Sequence, residues 1–115
     1  MNKQRHEDYL NHMIQAIDDA LSYVDGLGLP DFLEDKRTQQ ACIMNVLIIG
    51  EAATKLMNEY PNFVTQHPQI EWRSMRGMRN RIAHGYFDIN LEVVWETLQT
   101  ALPDLQAKIQ AIQNQ

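Results

Sequence analysis

Four of the ten basic residues in this chain, Arg73, Arg76, Arg79 and Arg81, fall within nine positions, and no acid interrupts them between Glu71 and Asp88. All four are arginine, which stays charged at any working pH and pairs its planar fork with phosphate oxygens two at a time. Such a cluster either makes a local positive field that recruits a polyanion, or is a solvated helix face pairing with acids on neighbouring helices. It runs directly into Asn80-Arg81-Ile82-Ala83-His84-Gly85-Tyr86. At about 100° per residue, Arg76, Asn80 and His84 stack four apart on one helix face, and Arg79 lies about 140° from His84, beside Met75 and Ile82. An arginine beside an apolar stripe runs along a seam between helices or between subunits. Because the helix ends near His84, that side chain can bend towards Arg79, and the two are expected to face one cleft, most easily a cleft formed at an interface.

An imidazole, a guanidinium and an amide around one cleft suit metal-free RNA cleavage, in which the 2′-hydroxyl attacks the neighbouring phosphate. That reaction needs a proton-transfer group working near neutral pH and a fixed cation against the charge growing on the phosphorane oxygens. His84 would transfer protons, Arg79 would hold the phosphate, and Asn80 would orient the ribose or the histidine. Arg73, Arg76 and Arg81 would bind RNA phosphates. Two histidines, one from each subunit, could divide the acid and base roles. His84 taken alone has a plainer role, a cation at a helix C-terminus favoured by the helix dipole and followed by its glycine. Glu51 is a lone acid at the edge of an apolar helix, either a carboxylate that orients Arg79 or His84 or a plain surface acid. Tyr86 and Phe87 could be core aromatics, and for Phe87 the core is the default expectation. His6, His12, His67 and His84 show no metal-ligand spacing, Cys42 has no neighbouring cysteine, and no glycine-rich phosphate loop is present, so neither a metal nor a cofactor is expected.

The elements that must position these residues read as helices throughout. Leu10, Met13, Ile14, Ile17, Ala20, Leu21 and Val24 recur at steps of three and four, the apolar stripe of a first helix. It stops in Asp25-Gly26-Leu27-Gly28-Leu29-Pro30, after which Asp31 can cap a second helical region that runs towards Tyr60 and ends at Pro61. The segment Ala41–Gly50 of that helix is apolar almost all round, Asn45 apart, which requires burial on more than one side. The second side is either a partner chain or the interior of a monomeric bundle. Pro61 to Pro68 is a connector with one helical turn. Glu71 to about His84 forms a third main helix, with Trp72, Met75, Met78, Ile82 and Ala83 on or near one face and Gly85 placed for a left-handed C-terminal stop. From Asn90 onward Leu91, Val94, Trp95, Leu98, Leu102, Leu105, Ile109 and Ile112 keep the helical period, with Pro103 marking a kink or a junction at Leu102, next to Asp104. No strand-period segment or internal repeat interrupts this pattern. The expected fold is all-α, an antiparallel bundle of about four to five main helices in a single domain over residues 1–115.

Bulk composition fits that picture. With 115 residues the chain has room for one core, and fifteen acids against ten bases give a net charge of -5, which excludes a generally basic nucleic-acid coat but not a local basic site. A single cysteine cannot build a disulfide framework, and the polar start MNKQRHEDYL lacks the apolar core of a signal peptide. The longest apolar stretch is too short to span a bilayer. A soluble cytoplasmic protein without membrane attachment is expected.

These residues carry a family resemblance. Arg79, four residues, His84, one residue and Tyr86 match the R-x4-H-x-Y pattern of the HEPN superfamily, and in particular of the HepT toxins. The segment Met78-Arg79-Asn80-Arg81-Ile82-Ala83-His84-Gly85-Tyr86-Phe87 resembles that family's core, as do Ile49-Gly50-Glu51-Ala52 and the Val94-Trp95 region, and the likeness spans nearly the whole chain. The resemblance implies an all-α HEPN-like bundle that dimerises through helices and sets two motif segments on either side of a shared cleft. It further implies a metal-independent endoribonuclease, the toxin of a two-gene toxin–antitoxin module, whose MNT-type nucleotidyltransferase antitoxin transfers AMP from ATP onto the motif tyrosine, here Tyr86. Bulky phosphate-bearing groups beside Arg79 and His84 would neutralise the site meant for RNA phosphate. The same residues also fit a non-catalytic HEPN subunit that binds a nucleotide or substrate for a minimal nucleotidyltransferase, because both kinds of ligand present phosphate.

Overall fold

The computed structural model describes the backbone of residues 2–115, with side chains from Arg5 onward, so part of the polar start lies outside the described side chains. Seven α-helical segments follow one another: α1 (Asn2–Tyr23), α2 (Leu29–Glu34), α3 (Lys36–Glu59), α4 (Pro61–Gln66), α5 (Trp72–His84), α6 (Leu91–Glu96) and α7 (Leu102–Gln113). No strand occurs among the described residues, and the fold is the expected all-α, HEPN-like bundle. The helix α3 is its axis. One flank packs along α1 and another along α5, while α7 leans on α1 from the far side.

The packing follows from the periodicity. Leu10, Met13, Ile17 and Ala20 of α1 are all buried, as are Cys42, Ile43, Val46, Ile49, Ala53 and Leu56 of α3. Phe32 of α2 is fully enclosed and meets the Trp95 ring of α6 with centroids 5.3 Å apart. Asn45, the one buried polar side chain among the described residues, donates to the Ala41 carbonyl one turn back and so needs no tertiary partner. What α3 does not bury is instructive. Met44 and Ile48 are 55% and 39% exposed, so its apolar circumference is covered on two flanks within the chain and bare on the outer one.

Three local features differ from the sequence-based expectation. The second helical region is two helices, because Asp35 interrupts it: its carboxylate accepts from Thr38 N (3.1 Å) and the Thr38 hydroxyl (2.6 Å), capping α3. Asp31 lies inside α2 instead, where its carboxylate accepts from the Gly28 N–H (3.0 Å). Gly85 has φ -143, so α5 does not end in a left-handed residue; the chain tightens into a 3₁₀ turn, Tyr86–Asp88, closed by Asp88 N–H on the Gly85 carbonyl. At Pro103 the expected junction is present: α7 begins at Leu102, after a π-helical turn over Thr97–Ala101 in which Leu102 N–H reaches back five residues to Thr97. Finally, Phe87 is not a core aromatic but 99% exposed, because the 3₁₀ turn swings it off the bundle.

Candidate active site

Arg79 is set by a helix crossing. Gly50 of α3 faces α5 so closely that a Cβ there would fall onto Arg79 Cβ and lie 2.9 Å from the Met75 carbonyl. Only a residue without a side chain lets the two backbones approach this far, and the approach lays the Arg79 stem against α3. Glu51, the next residue of α3, then meets the guanidinium: Arg79 Nε donates to Glu51 Oε1 in a short ion pair. Arg79 Nη1 donates to Asn80 Oδ1 at 2.7 Å. The guanidinium is thus held on two sides by acceptors, while its Nη2 makes no side-chain hydrogen bond among the described residues. Arg79 does lie along a seam between helices, as its place beside the apolar stripe suggested, and Glu51 stands against it rather than against His84.

His84 sits apart from this group. It closes α5, is exposed, and makes no side-chain hydrogen bond among the described residues. It borders a cavity of about 520 Å³ between the end of α5 and the start of α6, which Asn80 and Arg81 also line. Arg79 does not line that cavity, so the single chain does not bring Arg79 and His84 into one cleft. Asn80 is the link: its amide oxygen accepts from Arg79 while its side chain borders the cavity of His84.

The remaining arginines divide. Arg73 is exposed and Arg76 half-buried, and neither pairs with an acid among the described residues, so within the cluster a neighbouring helix supplies a counter-charge to Arg79 alone. Arg81 borders both the cavity of His84 and a second, apolar groove of about 220 Å³ between α5 and α7. Tyr86 is 45% exposed and lies over the start of α3, sharing a small hollow with Lys36, Gln40 and Ile43. Among the described residues no cluster of three or more His, Cys, Asp or Glu is placed to hold a metal ion. His6 and His67 instead flank the Phe63 ring at 4.5 and 4.6 Å. Cys42 is buried against the Ala20 carbonyl, and burial pushes its thiol up to about 11. Reading the sequence alone did not find Gly50 as the crossing point or Asp88 on the rim of the cavity; a lone glycine inside a continuous apolar helix was the available signal for the first.

Comparison with known proteins gives the family. A family model described as ribonuclease HepT-like matches residues 13–112. A protein of Thermococcus cleftensis named "Probable ribonuclease HepT" is 36% identical over 110 residues, 96% of this chain and 97% of that one. Proteins named "Putative RNase" from Caldanaerobacter subterraneus subsp. tengcongensis and Methanocaldococcus jannaschii are 32% identical over 104 residues and 30% over 112, each match covering 90% of the relative and, respectively, 90% and 97% of this chain. No solved structure gives a significant match. The chain belongs to the HepT-like family of the HEPN superfamily. Among the described residues no helix is long and apolar enough to cross a membrane.

Proposed function

We propose that this protein is a HepT-type toxin, a metal-independent endoribonuclease of the cytoplasm that works as a pair of copies and is silenced by AMP transfer onto Tyr86 by an MNT-type nucleotidyltransferase antitoxin. The observation that carries the reading is the state of Arg79. A guanidinium held by Glu51 at Nε and by Asn80 at Nη1 is oriented in advance, and its remaining N–H groups are free to donate to a phosphate oxygen. In the reaction His84 takes the proton of the RNA 2′-hydroxyl, the oxygen attacks phosphorus, and the bond to the 5′-oxygen breaks. The leaving oxygen collects a proton from a second imidazole, and a 2′,3′-cyclic phosphate and a 5′-hydroxyl result.

A second copy supplies what one chain lacks. Within the chain Arg79 and His84 do not share a cavity, and an interface that sets two motif segments face to face would give one phosphate access to an arginine and two histidines. The bare outer flank of α3 at Met44 and Ile48 is the apolar surface such an interface would cover, and Phe87 offers a further exposed apolar ring. Arg73 and Arg76 extend the positive face along which RNA would lie.

The decisive test compares wild type with Arg79→Ala and His84→Ala. Each change should abolish growth inhibition and RNA cleavage while helix content and oligomeric state are unchanged. Loss of fold in His84→Ala would assign that residue to capping α5. Intact RNA cleavage in both would take Arg79 and His84 out of the reaction, whereas no cleavage in wild type, alongside loss of a partner's nucleotidyltransferase activity in the variants, would make the chain a binding subunit. Coexpression with the nucleotidyltransferase should add mass in AMP units confined to Tyr86, and an unmodified Tyr86 would remove the switch.

A further inference from the structure

The cavity beside His84 has a chemistry that phosphate binding does not explain. Its floor is apolar, built from Ile82 of α5, Ile89 of the connector and Val94 of α6. On its rim, among arginine and histidine, stands the carboxylate of Asp88. A carboxylate repels a phosphodiester, so this hollow is not a continuation of the basic face. Asp88 caps nothing and pairs with nothing among the described residues: its backbone N–H closes the 3₁₀ turn, while its side chain makes no hydrogen bond and no ion pair. Nor does Arg81, on the same rim, pair with an acid there. The rim thus offers an uncommitted acceptor and an uncommitted donor over an apolar floor, in a volume of about 520 Å³, within the roughly 300–1,000 Å³ typical of small-molecule sites.

We propose that this cavity is a nucleobase subsite that selects guanine next to the scissile phosphate, with Asp88 and Arg81 as its specificity residues. The inference rests on the ribonuclease reading above. An apolar floor suits a flat base and not a sugar or a phosphate. A carboxylate accepts two parallel hydrogen bonds only from guanine, whose N1–H and N2–H₂ lie side by side. Adenine and cytosine set a ring acceptor beside their amino group, and uracil flanks its single imino hydrogen with two carbonyls, so each of these meets the carboxylate with repulsion. Arg81 complements the same base from its other edge, since a guanidinium pairs bidentately with guanine O6 and N7. Asn80 both borders the cavity and accepts from Arg79, so the base site and the guanidinium meet at one residue.

The test sequences the cut ends released from an RNA pool randomised on both sides of the cleavage site, using the full chain. Wild type should cut beside guanine with a preference of roughly ten- to a hundredfold, the discrimination that one bidentate side-chain–base pair gives. Asp88→Ala and Asp88→Asn should still cut but lose most of that preference. Asp88 is exposed in a 3₁₀ turn, so neither change threatens the core. A second measurement needs no variant: replacing the guanine by inosine, which lacks the N2 amino group, should slow wild type severalfold and leave Asp88→Ala indifferent. Cleavage without base preference, or a preference that survives in Asp88→Ala, would overturn the subsite and leave the ribonuclease reading standing. A folded wild type that cuts no member of the pool would overturn both.

Discussion

Replacing Gly50 by alanine pits helix propensity against the crossing of α3 and α5. In an uncrowded helix the change is favourable by about 1 kcal/mol, because glycine loses more backbone freedom on folding. Here the new methyl would fall onto Arg79 Cβ and within 2.9 Å of the Met75 carbonyl. Neither obstacle is the tip of a flexible side chain, so relief requires the helices to move apart by roughly 1 Å to restore ordinary contact distances. Over-packing of that kind costs about 1–3 kcal/mol and occasionally more. With backbone and Cβ as the obstacles the upper part of that range applies, and the net loss after the propensity gain is about 1–2 kcal/mol. For 115 residues the entropy of unfolding is about 0.24 kcal/mol/K, so Tm should fall by about 4–8 °C. The consequence for function should be larger than for stability. A displacement of about 1 Å at a positioned catalytic group can cost on the order of a hundredfold in rate, so RNA cleavage should collapse at 20 °C while the variant is still folded. Gly77→Ala is the matched control. It sits in α5 with open space where its Cβ would go, and should raise Tm by a few degrees with little effect on activity. Calorimetry and single-turnover cleavage on the three proteins decide the matter. A Gly50→Ala protein as stable as Gly77→Ala, with wild-type cleavage, would refute the close crossing and the positioning of Arg79 that follows from it.

Glu51→Gln keeps the size of the side chain and removes its charge, so Arg79 should keep its hydrogen bond but lose a fixed anion; kcat should fall severalfold with Tm within about a degree, as expected for a half-exposed ion pair. Equal loss in Glu51→Gln and Glu51→Ala would show that charge, rather than the hydrogen bond, orients the guanidinium. Asp35→Ala removes the cap of α3 and should lower the unfolding midpoint at neutral pH. Its hydrogen bonds from Thr38 hold the Asp35 carboxyl below the usual 3.8, so this stabilisation is present above pH 3.8 and is lost as pH falls through the depressed value. Denaturant midpoints of the two proteins should therefore converge at the acidic end of a series from pH 7 down, and a gap that stays constant across the series would count against the cap.

Particular residues show how much of this could be read from the chain alone. The burial of Leu10, Met13, Ile17 and Ala20, and of Leu98, Leu102, Leu105 and Ile109, follows from a period of three and four, since helical geometry fixes which positions share a face before any neighbour is known. The placement of Arg79 beside the apolar stripe was legible for the same reason. Where two local signals competed, tertiary context chose. Asp31 and Asp35 are both good caps, but only Asp35 has a threonine three residues on whose hydroxyl completes the cap, and Asp31 lies after a proline already held at a helical φ. Gly85 is permitted a left-handed conformation but is not compelled to take one, and the choice of an extended φ sends Phe87 outward. Hydrophobicity predicted a buried phenylalanine because the alternative, a surface used by another molecule, is invisible in one chain's composition.

Within one chain the residues that could do chemistry are assembled only halfway: Glu51, Arg79 and Asn80 form one contact group, and Asn80, Arg81, His84 and Asp88 border a cavity on the next turn. Arg79 is held by Glu51 and Asn80 and is not among the residues that line that cavity. Such a split is what a shared site requires, because each copy then presents a fixed cation and an unpaired imidazole to its partner while neither half is complete alone. It also leaves Tyr86 exposed beside α3, where a transferase can reach it without opening the bundle. If the copies are separated, by charges placed at Met44 and Ile48 on the bare flank, the folded monomer should retain its helices and lose RNA cleavage. A fully active monomer would mean that one chain can bring His84 to the phosphate held by Arg79, and the division of labour argued from their separation would fall.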